Sequence, residues 1–177
     1  MRSKRYRLTA IALVFASILA ACGSDNSSTA SDVDADGASA APGAPEAFTA
    51  AQLGGGELSS ASFAGEDTVL WFWAPWCTVC RAEADDVVAA AAALDGEVEI
   101  IGVAGRGEVS DMEGFVSDTA TDGLTHVVDA DGSIWSAYEV YAQPAYAFID
   151  DSGEVEVFVG PLGEKALVER MTDLTEA

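Results

Sequence analysis

Ten residues, from Trp71 to Cys80, constrain the fold of this chain more than any other stretch. They form an apolar, aromatic run that reaches a proline and is followed by two cysteines, Cys77 and Cys80. On a helix that spacing is about one turn, so both sulfur atoms face the same way and can form a disulfide. The free N–H groups of a first helical turn favour a thiolate, so we expect Cys77 to be the attacking sulfur. The stretch predicts a redox-active cysteine pair.

Three other interpretations of this pair are weaker. A zinc site needs four ligands, and the chain beyond the N-terminal segment offers two cysteines and His126. A haem attachment needs histidine directly after Cys80, where Arg81 stands. A purely structural disulfide that closes so short a loop adds little stability. We therefore expect thiol–disulfide exchange that requires no metal, nucleotide or other cofactor.

The first 22 residues are typical of an export signal. A basic segment, Arg2 to Arg7, precedes an apolar segment, Leu8 to Ala20, that is too short to span a bilayer comfortably. The sequence Leu-Ala-Ala-Cys-Gly that follows resembles the bacterial lipobox, in which the cysteine, here Cys22, receives a lipid anchor. The alternative is ordinary cleavage near Ala21 with a chance cysteine.

The chain divides by composition into three parts. We predict a lipoprotein signal peptide over residues 1–21 and one folded domain over residues 47–177. Between them, residues 22–46 are rich in Ser, Asp, Ala, Gly and Pro and have little to bury, which predicts a flexible tether.

The net charge of −22 comes from 8 Lys and Arg against 30 Asp and Glu. So acidic a surface repels the phosphates of nucleic acids and an anionic membrane face. We expect no nucleic acid partner, and membrane attachment through Cys22 alone.

Strands alternate with helices in the predicted domain. A hairpin or irregular lead-in over 48–63 comes first. Strands are predicted at 68–73, 98–104, 126–128, 146–149 and 155–159, and helices at 77–94, 108–119, 133–138 and 163–174. This order indicates an α/β sandwich with a mixed sheet.

Residues 73–80 resemble the active site of the thioredoxin superfamily. The resemblance extends over roughly residues 48–174 and is closest to the exported branch, the TlpA, ResA and DsbE/CcmG-like proteins, including secreted DsbE-like proteins of actinobacteria. It implies a thioredoxin-like fold with a central mixed β-sheet flanked by helices. The chain between Cys77 and Pro144 is longer than in plain thioredoxins, and has room for the extra helix and strand that mark the TlpA-like branch.

The resemblance also assigns roles beside the cysteines. Pro144 matches the cis-proline that lies against the CxxC pair, although sequence alone would favour a trans proline at an edge strand. Gln143, before it, would offer backbone groups to a substrate peptide. Trp76 would cover the disulfide and contact substrate. Thr78 and Val79 occupy the positions that most influence the reduction potential.

A neighbouring acid, Glu83, matches one that tunes the thiol pKa values in the exported branch and relays a proton to Cys80. The alternative is a solvated helix residue that complements the helix dipole. In cytosolic thioredoxin a buried aspartate does this work, and Trp71 stands at the corresponding position here. Trp71 and Trp73, two apart on a strand, are expected in the core or at its rim.

Other polar residues are predicted to be structural. His126 is expected to be solvated or to cap an element. Asp129 and Asp131 precede a glycine without the remaining ligands of a calcium loop, which indicates turn residues.

The resulting hypothesis is an extracytoplasmic thiol–disulfide oxidoreductase, lipid-anchored on the outer face of the cytoplasmic membrane or secreted. Its partners would be cysteine-containing exported proteins and a membrane thiol redox partner. It would oxidise or isomerise cysteines; the alternative is a reductant of apocytochrome c or other exported thiols. A further alternative, from another class, is a non-catalytic lipoprotein that binds partners through a thioredoxin scaffold. The oligomeric state is left open.

Overall fold

The fold is built around strand β3 (Thr68–Trp73), all six of whose side chains are buried. A strand that is hidden on both faces requires a nearly unbroken apolar run, which the sequence supplies. The computed structural model describes residues 47–177. Within them β3 is the middle strand of a five-stranded sheet with the order β5-β4-β3-β6-β7.

The remaining elements follow the order expected from the sequence. The strands are β1 (Thr49–Ala51), β2 (Glu57–Ser59), β4 (Glu99–Gly105), β5 (Thr125–Asp129), β6 (Ala145–Ile149) and β7 (Val155–Val159). The helices are α1 (Thr78–Ala93), α2 (Val109–Asp118), α3 (Ser133–Ala137) and α4 (Glu164–Thr175). Strands β3, β4 and β5 are parallel, whereas β6 pairs antiparallel with β3 and β7. The mixed sheet flanked by helices is therefore confirmed.

Two core layers lie on opposite faces of the sheet because side chains alternate along a strand. Trp71 and Trp73 point into the layer that also contains buried side chains of α1, α2 and α4. Leu70 and Phe72 point into the other layer, against α3 and the β1–β2 hairpin with its following 3-10 turn.

The segment between β4 and β6 contains α2, β5 and α3, which is where the predicted extra helix and strand lie. Helix α1 begins at Thr78, one residue later than predicted, and Cys77 is its N-cap. The predicted signal peptide, the tether and Cys22 lie outside the described residues. Within residues 47–177, the helices are too short or too polar to cross a bilayer.

Candidate active site

The two cysteines form a disulfide at the start of α1, with their Cα atoms 5.3 Å apart. Cys77 caps the helix, and its Sγ accepts a hydrogen bond of 3.0 Å from the backbone N–H of Cys80. Cys77 is 5% exposed, whereas Cys80 is 0% exposed. Both cysteines are thus largely enclosed, and Cys77 is the one of the two that retains some exposed surface.

The loop between β3 and α1 fixes this position. The N–H of Cys77 donates to the carbonyl of Ala74 at 3.0 Å, which closes a tight turn around the buried Pro75. Within this turn Trp76 is 59% exposed, and its Nε1 donates to the carbonyl of Arg106 at 2.8 Å. This hydrogen bond fixes the orientation of the indole, which directly precedes Cys77 in the sequence, while most of the ring remains exposed to solvent.

The loop before β6 reaches the same end of the sheet. Phe72 pairs with Ala145, so the next position along the antiparallel ladder places Pro144 opposite Trp73, where the CxxC loop departs. The Gln143–Pro144 peptide bond is cis, as the resemblance implies. Pro144 is buried and Gln143 is partly exposed.

Glu83 is 4% exposed and lies about one turn after Cys80 on the same face of α1. Its carboxylate accepts hydrogen bonds from Trp71 Nε1 at 2.9 Å and from the N–H of Leu162 at 3.3 Å. Burial raises the pKa of Glu83 to about 7, against the opposing effect of the Trp71 hydrogen bond. The alternative of a solvated helix residue is wrong, because the carboxyl is enclosed by the core.

A second buried group faces this carboxyl. The hydroxyl of Tyr146, on β6, is fully buried next to the Glu83 carboxyl, outside strict hydrogen-bond geometry but close enough for each group to shift the pKa of the other. Burial raises the pKa of Tyr146 above its ordinary range, and the nearby charge of Glu83 adds to the effect. Tyr146 therefore stays neutral, and only Glu83 of the two can change its protonation near pH 7.

Sequence reasoning missed Arg106, which follows β4. Its guanidinium donates to Gln143 Oε1 and to the carbonyl of Tyr141, both at 3.2 Å, and lies 4.4 Å from the ring centre of Trp135. These contacts bridge from 29 to 37 positions of sequence, so no local pattern marks them. The available signal was weak: a single base after a buried strand in a very acidic chain.

The prediction that His126 is solvated or capping is wrong. The residue is 3% exposed, Nε2 lies 2.9 Å from the carbonyl oxygen of Thr121, and the ring is perpendicular to that of Trp73 at 5.5 Å between centres. Burial lowers the pKa of His126, so the ring is neutral at pH 7. It belongs to the core that also contains Trp71, Trp73 and Phe115 of α2.

Asp129 and Asp131 lie at the start of α3. The buried carboxylate of Asp129 accepts from the N–H groups of Ile134 at 3.3 Å and Trp135 at 2.9 Å. Asp131 accepts from the N–H of Ser133 at 3.0 Å. Both therefore fix a turn and a helix end, as expected. Among the described residues there is no group of three or more side chains suited to hold a metal ion.

A disulfide at the N-terminus of a helix that follows the central strand of a mixed sheet, with a cis-proline loop at the same end of that sheet, defines the class: a protein of thioredoxin-like fold with a CxxC site. The model of the AhpC/TSA family matches residues 41–158, more than half of the chain, so this protein belongs to that family.

Mycobacterial proteins are among those similar to this chain in sequence and structure. The soluble secreted antigen MPT53 of Mycobacterium tuberculosis is 43% identical over 106 residues, and the match covers 60% of each chain. The protein thus spans 60% of the length of this curated relative. The structure of DsbF from the same organism is 42% identical, with a TM-score of 0.70 over 72% of this chain and 94% of that one.

A secreted disulfide oxidoreductase of Mycobacterium tuberculosis, described as homologous to Escherichia coli DsbE, is 38% identical. Its structure superimposes with a TM-score of 0.67 over 72% of this chain and 96% of that one. The thioredoxin-like fold and the predicted kinship with DsbE-like oxidoreductases are confirmed.

Proposed function

We propose that this protein is an exported thiol–disulfide oxidoreductase in which Cys77 forms a mixed disulfide with the substrate and Cys80 resolves it. The observation that carries the proposal is the unequal position of the two cysteines, because Cys77 caps the helix and retains some exposed surface, whereas Cys80 is fully enclosed. The N–H of Cys80, which points at Cys77 Sγ, and the helix N-terminus stabilise a thiolate at Cys77.

In the oxidising direction, a substrate thiolate attacks Cys77 Sγ and the Cys77–Cys80 bond breaks. Cys80 leaves as a thiolate and takes up a proton, which we assign to Glu83, on the same face of α1. A second substrate thiolate then attacks the substrate sulfur of the mixed disulfide, and Cys77 leaves as a thiolate. Two electrons pass from the substrate to the cysteine pair, and the substrate gains a disulfide.

The peptide-contacting surface is assigned to Trp76, Gln143 and Pro144. The exposed ring of Trp76 and the loop before β6 flank the start of α1. Thr78 and Val79, exposed in the first turn of α1, are assigned the tuning of the reduction potential. This residue pair matches neither that of the most reducing nor that of the most oxidising proteins of the superfamily. We therefore expect a reduction potential between about −270 mV, as in thioredoxin, and about −120 mV, as in DsbA.

We favour oxidation or isomerisation of exported proteins because similar relatives, MPT53 and the DsbE homologue, are described as secreted. The second candidate runs the same steps in reverse, with the Cys77 thiolate attacking a substrate disulfide. Equilibration of the purified domain with a thiol redox buffer measures the potential. A value at or below that of thioredoxin contradicts the oxidising role, and a value near that of DsbA contradicts the reducing role.

A Cys80→Ser variant tests the mechanism, because it cannot resolve the mixed disulfide. Incubated with a peptide disulfide, the reduced variant is expected to retain the peptide through Cys77, detectable as added mass that dithiothreitol removes. Cys77→Ser is the matched control and is expected to trap nothing. Trapping of equal amounts by both variants would contradict the assignment of Cys77 as the attacking sulfur, and full function of Cys77→Ser would support the alternative of a non-catalytic binding module.

The proposed location rests on the N-terminal sequence and on the secreted relatives. We propose that residues 1–21 direct export, that Cys22 carries the lipid and that residues 22–46 tether the domain over residues 47–177. Two acyl chains give stable membrane attachment where one does not. Mass spectrometry of the membrane-bound protein and of a Cys22→Ala variant tests this assignment. Recovery of unmodified protein, cleaved near Ala21, would contradict it.

We also propose that a membrane thiol redox partner returns the Cys77–Cys80 pair to its starting oxidation state after each exchange.

A further inference from the structure

Arg106 connects three segments that surround the cysteine pair. Its carbonyl accepts from Trp76 Nε1 at 2.8 Å, which ties it to the CxxC loop. Its guanidinium donates to Gln143 Oε1 and to the carbonyl of Tyr141, both at 3.2 Å, which ties it to the cis-proline loop. The same group stacks 4.4 Å from the ring centre of Trp135 on α3.

The backbone around Arg106 is tightly enclosed and unusual. Arg106 has a φ of 57°, in the left-handed region that favours glycine. A Cβ on Gly105 would overlap the indole of Trp135, and a Cβ on Gly107 would overlap the ring of Pro75. Because the conformation is unfavourable for a residue with a side chain, the presence of arginine indicates that its contacts compensate for the strain.

The guanidinium of Arg106 contacts neutral oxygen atoms, whereas the other two arginines in residues 47–177 form ion pairs. Arg81 pairs with Asp118 and Arg170 pairs with Glu156. Arg106 instead places two donors on two neutral oxygen atoms of one loop. The planar guanidinium can serve both acceptors at once, whereas the ammonium group of a lysine is a point donor on a flexible stem.

We propose that Arg106 is a positioning residue that holds the cis-proline loop, residues 141–144, at a fixed distance from Trp76. An extended polypeptide that carries the reacting cysteine would then meet Trp76 on one side and Gln143 on the other without first ordering the loop. The inference rests on the proposed function. Because Arg106 is not assigned contact with the reacting sulfurs, its effect falls on peptide binding and not on the exchange of bonds.

The test compares exchange with a peptide and exchange with a small dithiol. Oxidised wild-type protein and an Arg106→Gly variant, which suits the backbone and lacks the side chain, react with a reduced two-cysteine peptide and with dithiothreitol. Loss of two hydrogen bonds of ordinary net strength corresponds to about a tenfold effect. We expect the ratio of the peptide rate to the dithiothreitol rate to fall about tenfold, through a higher KM for the peptide at similar kcat.

The Arg106→Lys variant is expected to react with the peptide faster than Arg106→Gly but more slowly than wild-type protein. Arg170→Ala is the matched control, since Arg170 is also an arginine with an ion pair and aromatic contacts, but it lies on α4 against β7. It is expected to leave the ratio unchanged. Should Arg106→Gly not fold, a double-mutant cycle of Arg106→Lys with Gln143→Ala replaces it, and the two effects on KM are expected to be less than additive.

An unchanged ratio in Arg106→Gly, or strict additivity in the cycle, would overturn the inference. So would a parallel fall of both rates with an unaltered KM, because that result indicates a general structural role. If wild-type protein exchanges with neither peptide nor dithiothreitol, the proposed function fails, and that outcome differs from every result expected for Arg106.

Discussion

Replacing Glu83 by glutamine should change how the stability of the oxidised protein depends on pH. The carboxyl is buried within the core beside α1, and burial raises its pKa from the ordinary value of 4.5 to about 7. The Trp71 indole, the nearby Tyr146 hydroxyl and the N–H of Leu162 oppose the shift without cancelling it. Glutamine has nearly the same shape and does not titrate, so the pH dependence that belongs to this carboxyl is absent from the variant.

The sign follows from the protons bound by each state. Below about pH 4.5 the carboxyl is protonated in both folded and unfolded protein, so it contributes nothing to the pH dependence. Between about pH 4.5 and 7 the unfolded chain releases this proton while the folded protein keeps it, so the free energy of unfolding falls as pH rises. Above about pH 7 the loss is complete. A shift of this size sets an upper bound of about 3 kcal/mol, which solvent screening reduces.

Urea unfolding at pH 4.5 and at pH 8 measures this term directly. The stability of Glu83→Gln relative to wild type should rise between these pH values by up to about 3 kcal/mol. Where the glutamine NH2 group faces the N–H of Leu162, two donors meet, which lowers the free energy of unfolding of the variant by an amount that does not depend on pH. Asp85→Asn, which removes an exposed carboxylate from the same helix, is the control and should show no comparable change. A relative stability of Glu83→Gln that stays constant within about 0.5 kcal/mol would refute the reasoning.

Three further predictions follow from the same core. Trp71→Phe removes a hydrogen bond that lowers the pKa of Glu83, so the fall of stability should extend to higher pH in the urea series; an unchanged range would contradict the role of this bond. Because burial lowers the pKa of His126, stability is lost as pH falls below 6.5, and the single imidazole resonance should titrate below that value by NMR; a midpoint at or above 6.5 would show the ring to be solvated. Gly102→Ala should cost about 1–3 kcal/mol in urea unfolding because its Cβ would overlap His126, whereas Gly114→Ala, on an open face of α2, should gain about 0.5–1 kcal/mol; equal effects would contradict the packing at Gly102.

Local patterns predicted the sheet and the cysteine pair well. The bounds of β3 agree with the sequence because a strand buried on both faces leaves a continuous apolar run. Helix α1 is short by one residue at its start, since Cys77 accepts from the N–H of Cys80 as a cap and does not begin the helix. The pair itself needed no tertiary information, because three-residue spacing fixes the geometry of both sulfurs.

Contacts across the sheet could not be predicted in this way. His126 resembles a solvated residue in sequence, and only the packing of β5 beside β4 places it against Trp73 and near the empty side of Gly102. Arg106 meets Gln143 because the ends of two strands converge on the cysteine loop. Such contacts depend on the register between strands, which a pattern along one strand does not contain.

The bond between Trp71 and Glu83 explains how the proton chemistry can work without a buried acid on the central strand. The strand contributes a donor, Trp71 Nε1, and the helix contributes the carboxyl that accepts from it. Burial alone would raise the pKa of Glu83 further, and the indole N–H is the largest of the hydrogen-bonding effects that limit the rise to about 7. A group with a pKa near the working pH gives and takes a proton with similar ease. Such a pKa suits the role proposed for Glu83 in both the release and the attack of Cys80, so on that proposal the direction of exchange depends on the relative stability of the Cys77 thiolate at the first turn of α1.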